Sequence, residues 1–233
     1  KLSVLENFDI FLQNSYIPIY GVTLLLSLYK YPKYFDSKLK YLPIIFIYTF
    51  LNELLGRIIR NYEEFRLISN EVYSDYNWLI FNVYTIIFYL YFYYIFWSHF
   101  EIKISRKIIY WGAILFLVVS MINSFIQNFN MIPQVYGYVF GGLILIYCLI
   151  LYFKKFFSLQ KDFAFKEDIL FWLSVGLLIF YVGYLPIKVI RYVHTMDGLV
   201  SPPLVKRIHL LLIIISYSCF IIGFIRMKKR FSK

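Results

Sequence analysis

Seven long apolar segments alternate with short polar ones along the chain, at about residues 11–29, 42–60, 78–98, 108–126, 133–153, 169–190 and 204–225. Each is close to the ~20 residues that an α-helix needs to cross a bilayer. The pattern therefore predicts an all-α polytopic membrane protein, a seven-transmembrane helix bundle forming one membrane domain over residues 1–233. Three segments are led by prolines, Pro18, Pro133 and Pro203, at positions where a helix start tolerates a missing N–H. The first residues, which include Glu6 and Asp9, lack a signal-peptide cleavage site. The first helix is accordingly expected to direct insertion.

Composition agrees with this pattern. The 233 residues are 61% hydrophobic and only 16% charged, against about 25% charged in ordinary soluble domains. No separate soluble catalytic or DNA-binding domain fits among the seven segments. Cys148 and Cys219 lie within apolar runs, where cysteine behaves as a small apolar residue.

The charge is unevenly distributed. Residues 30–41, 99–108, 154–168 and the C-terminal tail together carry the whole net charge of +11, and the remaining positions sum to zero. By the positive-inside rule this puts the N-terminus outside and the C-terminus in the cytoplasm, in a bacterial cytoplasmic (inner) membrane. The tail Arg226–Lys233 reads as an anchor to anionic lipid, so no nucleic acid is expected as a partner. The longer connections, 61–77 and 191–203, fall on the outer side.

Glu53 is an acid set well inside an apolar run, and an intramembrane carboxylate is a functional-site hypothesis by default. Counting ~1.5 Å per residue from Lys40 puts it roughly 20 Å from the inner boundary, in the outer half. Thr49, Glu53, Gly56, Arg57 and Arg60 share one helical stripe, and Arg57 is spaced to pair with Glu53 within the helix. A structural ion pair and a binding carboxylate are equally compatible with that spacing. Asn82 and Thr85 on the third helix and Asn123 on the fourth fall at comparable depth. So do Tyr181, Tyr184 and Lys188 on the sixth and His209 on the seventh. Together with Glu53 and Arg57 these form the expected ligand-binding set, around an outward-facing cavity walled by tyrosine.

Other chemistry finds little support. No clustered His/Cys spacing accompanies His209, so neither a metal nor a cofactor is expected. The run Phe88–Trp97 reads as helix packing ending in an interfacial aromatic belt. Gly137 and Gly141 form a GxxxG pair that permits close helix approach, including a homodimer. Gly176 and Gly183 mark a similar face on the sixth helix. No GxSxG elbow, P-loop or dinucleotide fingerprint is present, so no enzyme is expected. The seventh helix carries no opsin-type lysine. Pro133-Gln134 is similar to the dipeptide of PQ-loop transporters, but it occurs once.

Glu53, the Asn82-Val83-Tyr84 stretch and Phe171–Tyr181 together resemble small bacterial seven-helix membrane proteins whose relatives include the membrane halves of sensor histidine kinases. That resemblance implies signal reception through a membrane or cytoplasmic partner. The leading expectation is a receptor-like sensor of a small or lipidic ligand. The alternatives are a transporter or channel using Glu53 and Arg57, and an oligomeric membrane effector of a bacterial defence or stress system.

Overall fold

A computed structural model describes residues 2–62, 77–158, 167–196, 199 and 202–227. Among them seven helices are long and apolar enough to cross a membrane: α1 (Leu2–Lys30), α2 (Leu42–Asn61), α3 (Trp78–His99), α4 (Lys103–Ile126), α5 (Val135–Ser158), α6 (Ile169–Met196) and α7 (Pro203–Arg226). The protein is an integral membrane protein by this criterion, with lipid as its surroundings. Residues 63–76, which make up most of the connection 61–77, together with 159–166, 197, 198, 200, 201 and the tail beyond Met227, lie outside the described residues.

The helix count follows the hydropathy pattern, but several ends differ. α1 begins at Leu2, so Pro18 sits inside the helix and removes one main-chain donor there. The polar residues Glu6, Asn7 and Asp9 hid that extension, because a helix that outruns the hydrocarbon needs no apolar pattern. Pro203 takes the expected first-turn place, with Pro202 as N-cap.

The chain divides into two compact units, residues 1–46 with 157–233 and residues 47–156. In the first, α7 packs against α1 and α6. Small residues permit the α6–α7 approach: a Cβ on Gly176 would lie 2.6 Å from Phe220, and one on Gly183 would lie 2.7 Å from Leu212. Ser216 Oγ donates to the Gly176 carbonyl at 2.8 Å. The turn after α1 is fastened by Tyr34, whose hydroxyl donates to Ser27 O at 2.6 Å. Burial pushes that phenol's pKa up. Lys33 Nζ donates to Met227 O at 3.0 Å, a cation at the carbonyl end of α7.

In the second unit α3 is the central element. Tyr89 and Tyr93 donate to the carbonyls of Tyr138 and Gly141 on α5, at 2.8 and 2.6 Å. A Cβ on Gly141 would stand 2.7 Å from the Tyr89 ring and 2.8 Å from Phe116. The glycine pair expected to permit close helix approach does so within the chain. Gly137 packs on Ser120 and Gly141 on α3 and α4, because close approach within the chain already uses the space their missing side chains leave. The aromatic run of α3 divides as its helical phase dictates. Phe92, Tyr93 and Phe96 are buried, while Tyr94 is exposed beside Trp97, over which the Arg106 guanidinium lies at 3.9 Å.

Candidate functional site

The stripe on α2 forms as its spacing requires, and α3 meets it. Thr49 Oγ1 and the Tyr84 hydroxyl share a hydrogen bond of 2.6 Å, and the Tyr48 hydroxyl donates to Ile80 O at 3.3 Å. At the other end of the stripe Asn77, just before α3, donates through Nδ2 to both the main-chain and side-chain oxygens of Asn52, at 3.0 and 2.6 Å. One amide thereby ties the start of α3 to the middle of α2.

Glu53 sits half-buried between these contacts. Among the described residues its carboxylate accepts no hydrogen bond and forms no ion pair, and the cation whose charge reaches it is Arg60. The pair with Arg57 that the spacing allows does not form among the described residues; Arg57 is engaged with other groups. A helical side chain leans toward the N-terminus, and Arg60 does so across Gly56, its Nη1 lying 3.6 Å from where a Cβ would be. Asn77 Oδ1 is 3.4 Å from the same point. The missing side chain of Gly56 thus leaves space that the Arg60 guanidinium and the Asn77 amide approach. Sequence reasoning named Glu53 and Arg57 but missed Asn77 and the role of Arg60. An i, i+7 partner on the same stripe was the available signal.

Asn82, Thr85 and Asn123 belong to the same unit but have other work. Asn82 Nδ2 donates to Phe129 O and Ile132 O, at 2.7 and 2.9 Å, and its Oδ1 accepts from Gln134 N at 3.2 Å. Gln127 Oε1 accepts from Asn123 Nδ2 and from Val135 N, and Gln134 Nε2 donates to Gln127 O. Asn123 Nδ2 also donates to Gln134 Oε1. These amides clasp the α4–α5 connection, satisfying main-chain groups that lipid cannot. Thr85 donates back to Phe81 O on its own helix. Asn82 and Thr85, both expected in the ligand-binding set, have hydrogen-bonding atoms largely engaged with backbone. A small cavity between them, Ser120, Gln134 and Tyr138 has room for about one water. Among the described residues Asn123 Oδ1 and Gln127 Nε2 have no hydrogen-bond partner.

Tyr181, Tyr184, Lys188 and His209 come together in the other unit, across α6 and α7. The His209 ring stacks on Tyr184 at 4.3 Å, and Phe180 stacks on the same tyrosine at 4.9 Å. Lys188 is only 6% exposed, and its charge and that of Arg191 both act on His209. Tyr181, Tyr184 and Lys188 have further partners. Eight of the nine expected site residues thus fall into an α2–α3 set, an amide clasp and an α6–α7 aromatic–cationic set, while Thr85 bonds within its own helix. Among the described residues no three His, Cys, Asp or Glu side chains gather as a metal ion would need.

In comparisons with known proteins, no family model, curated protein or solved structure matches this chain.

Proposed function

We propose that the protein is a receptor-like sensor in a bacterial inner membrane, oriented with its N-terminus outside. In this reading the Glu53 stripe binds a small or lipidic ligand through a donor or cationic group and passes its occupancy to a partner protein. The observation that carries the reading is the Glu53 carboxylate, which sits within a membrane-spanning helix without a hydrogen bond or ion pair from the described residues. Holding a carboxylate in such a place costs several kcal/mol unless something compensates it, and a ligand donor would do so. The charge asymmetry of the loops supports an outward position, and the resemblance to the membrane halves of sensor histidine kinases supports reception.

A transport path is less well supported. Past Thr85 the interior of residues 47–156 is filled by Tyr89, Phe92, Tyr93, Phe96, Phe116 and Leu145, each at most 2% exposed. Within that unit polar groups give way to packed rings rather than continuing. The test is native mass spectrometry of protein purified from its membrane, comparing wild type with Glu53→Ala and Glu53→Gln. A co-purifying molecule lost from both variants is the expected result. Proton or solute flux in proteoliposomes that Glu53→Gln abolishes would overturn the reading in favour of a transporter.

A further inference from the structure

Away from the Glu53 stripe, α1 and α7 enclose a groove of about 280 Å³ lined by Asp9, Gln13, Pro203, Lys206, Arg207 and Leu210. Its framework is the two-pronged ion pair in which Arg207 Nε and Nη2 donate to the two oxygens of Asp9, at 2.5 and 2.8 Å. That pair cancels its own charge and leaves Nη1 of the guanidinium uncommitted. Lys206 is exposed, and among the described residues no acceptor takes its ammonium protons. Gln13 is likewise exposed, and its amide is unused among the described residues. The groove therefore carries one net positive charge and several unused N–H donors, and it has an apolar wall at Leu210.

Its level in the membrane narrows the occupant. Asp9 lies about 10 Å along α1 from its start, and Lys206 about 5 Å into α7. With 29 residues, α1 is longer than the ~30 Å of hydrocarbon, so its first turns extend to the head groups. Phe11 and Leu204 are more than half exposed on the same turns, where acyl chains would cover them. We propose that this groove is a binding site for a phosphate-bearing head group, with Lys206 as its principal cation and Gln13 and Arg207 Nη1 as supporting donors. Charge-assisted hydrogen bonds to phosphate are the strong ones, and a lysine at this level reaches its ammonium into the head-group region.

Thermal unfolding of the detergent-purified full chain, titrated with phosphatidylglycerol, diacylglycerol or inorganic phosphate, tests the proposal. Phosphatidylglycerol should stabilise wild type, diacylglycerol should not, and Lys206→Gln should weaken the response about tenfold. Lys206→Arg should retain it, as should Lys103→Gln, which removes an equal charge elsewhere. Inorganic phosphate acting alone, with the same dependence on Lys206, would support the site and assign its phosphate to solution rather than lipid. Equal responses in wild type and Lys206→Gln, or a response to diacylglycerol equal to that of phosphatidylglycerol, would overturn it. Neither result bears on the Glu53 stripe, which lies in the other unit.

Discussion

Arg60 runs back along α2 across Gly56, so that its guanidinium occupies space a side chain at position 56 would claim. This relationship links the charge near Glu53 to the absence of a β-carbon one turn before Arg60. It also sets a size limit. A methyl at 56 would meet Asn77 and Arg60 at 3.4 and 3.6 Å, ordinary contact distances. Gly56→Ala is therefore expected to be nearly silent in stability and in occupancy of the Glu53 stripe. Gly56→Leu is expected to drive out both Arg60 and Asn77 and to release the co-purifying ligand. Native mass spectrometry of the two variants checks this, and loss in Gly56→Ala would show that Arg60 does not need the space.

Gly141 stands at the opposite limit. Its Cβ would sit inside contact distance of Tyr89 and Phe116, and both rings are fully buried. Gly141→Ala should destabilise the protein by about 1–3 kcal/mol, the usual cost of overpacking, seen as a lower unfolding midpoint in detergent. Cross-linking through this face should not increase, since the glycine packs within its own chain. A stable Gly141→Ala protein with enhanced dimerisation would contradict the inward packing.

How much of this was legible in the sequence depends on the range of each interaction. Seven helices were legible because a bilayer imposes one length on every crossing. The stripe Thr49–Arg60 was legible because it needs only helical spacing. The Asn82 clasp was visible as a polar residue in an apolar helix, but its role was not, since its partners are the carbonyls of Phe129 and Ile132 some 50 residues away. The true start of α1 was hidden for a related reason. Asp9 reads as a polar residue ahead of the first apolar run until Arg207, 198 residues later, is placed against it.

Tyr93 gives α3 a polar hold on α5. Its hydroxyl donates to Gly141 O at 2.6 Å in a fully buried site. Interhelical hydrogen bonds within membranes contribute about 0.6 kcal/mol on average and up to about 1.7. Tyr93→Phe keeps the ring against Phe116 and removes only the hydroxyl, so a loss within that range is expected. Tyr93→Leu also removes the ring packing and should cost more. Chemical denaturation in mixed micelles compares the two, and equal losses would mean that the ring contributes nothing beyond the hydrogen bond.

Asp168 caps α6 from just outside the helix, its Oδ1 accepting from Leu170 N at 2.8 Å. Burial raises its pKa above the usual carboxylate value, against the lowering effect of the Leu170 and Phe171 amides. The sign follows from linkage. A folded-state pKa above the unfolded one means that the native protein binds the proton more tightly. Stability therefore declines as pH rises from the ordinary aspartate range through the raised value, and above it the full cost of the buried charge is present. Asparagine is an equally good N-cap and carries no charge to bury. Asp168→Asn should then match wild type at acid pH, exceed it at neutral pH, and flatten the pH dependence of the unfolding midpoint between them. A variant less stable than wild type at neutral pH would show that the ionised carboxylate, rather than the cap alone, holds the start of α6.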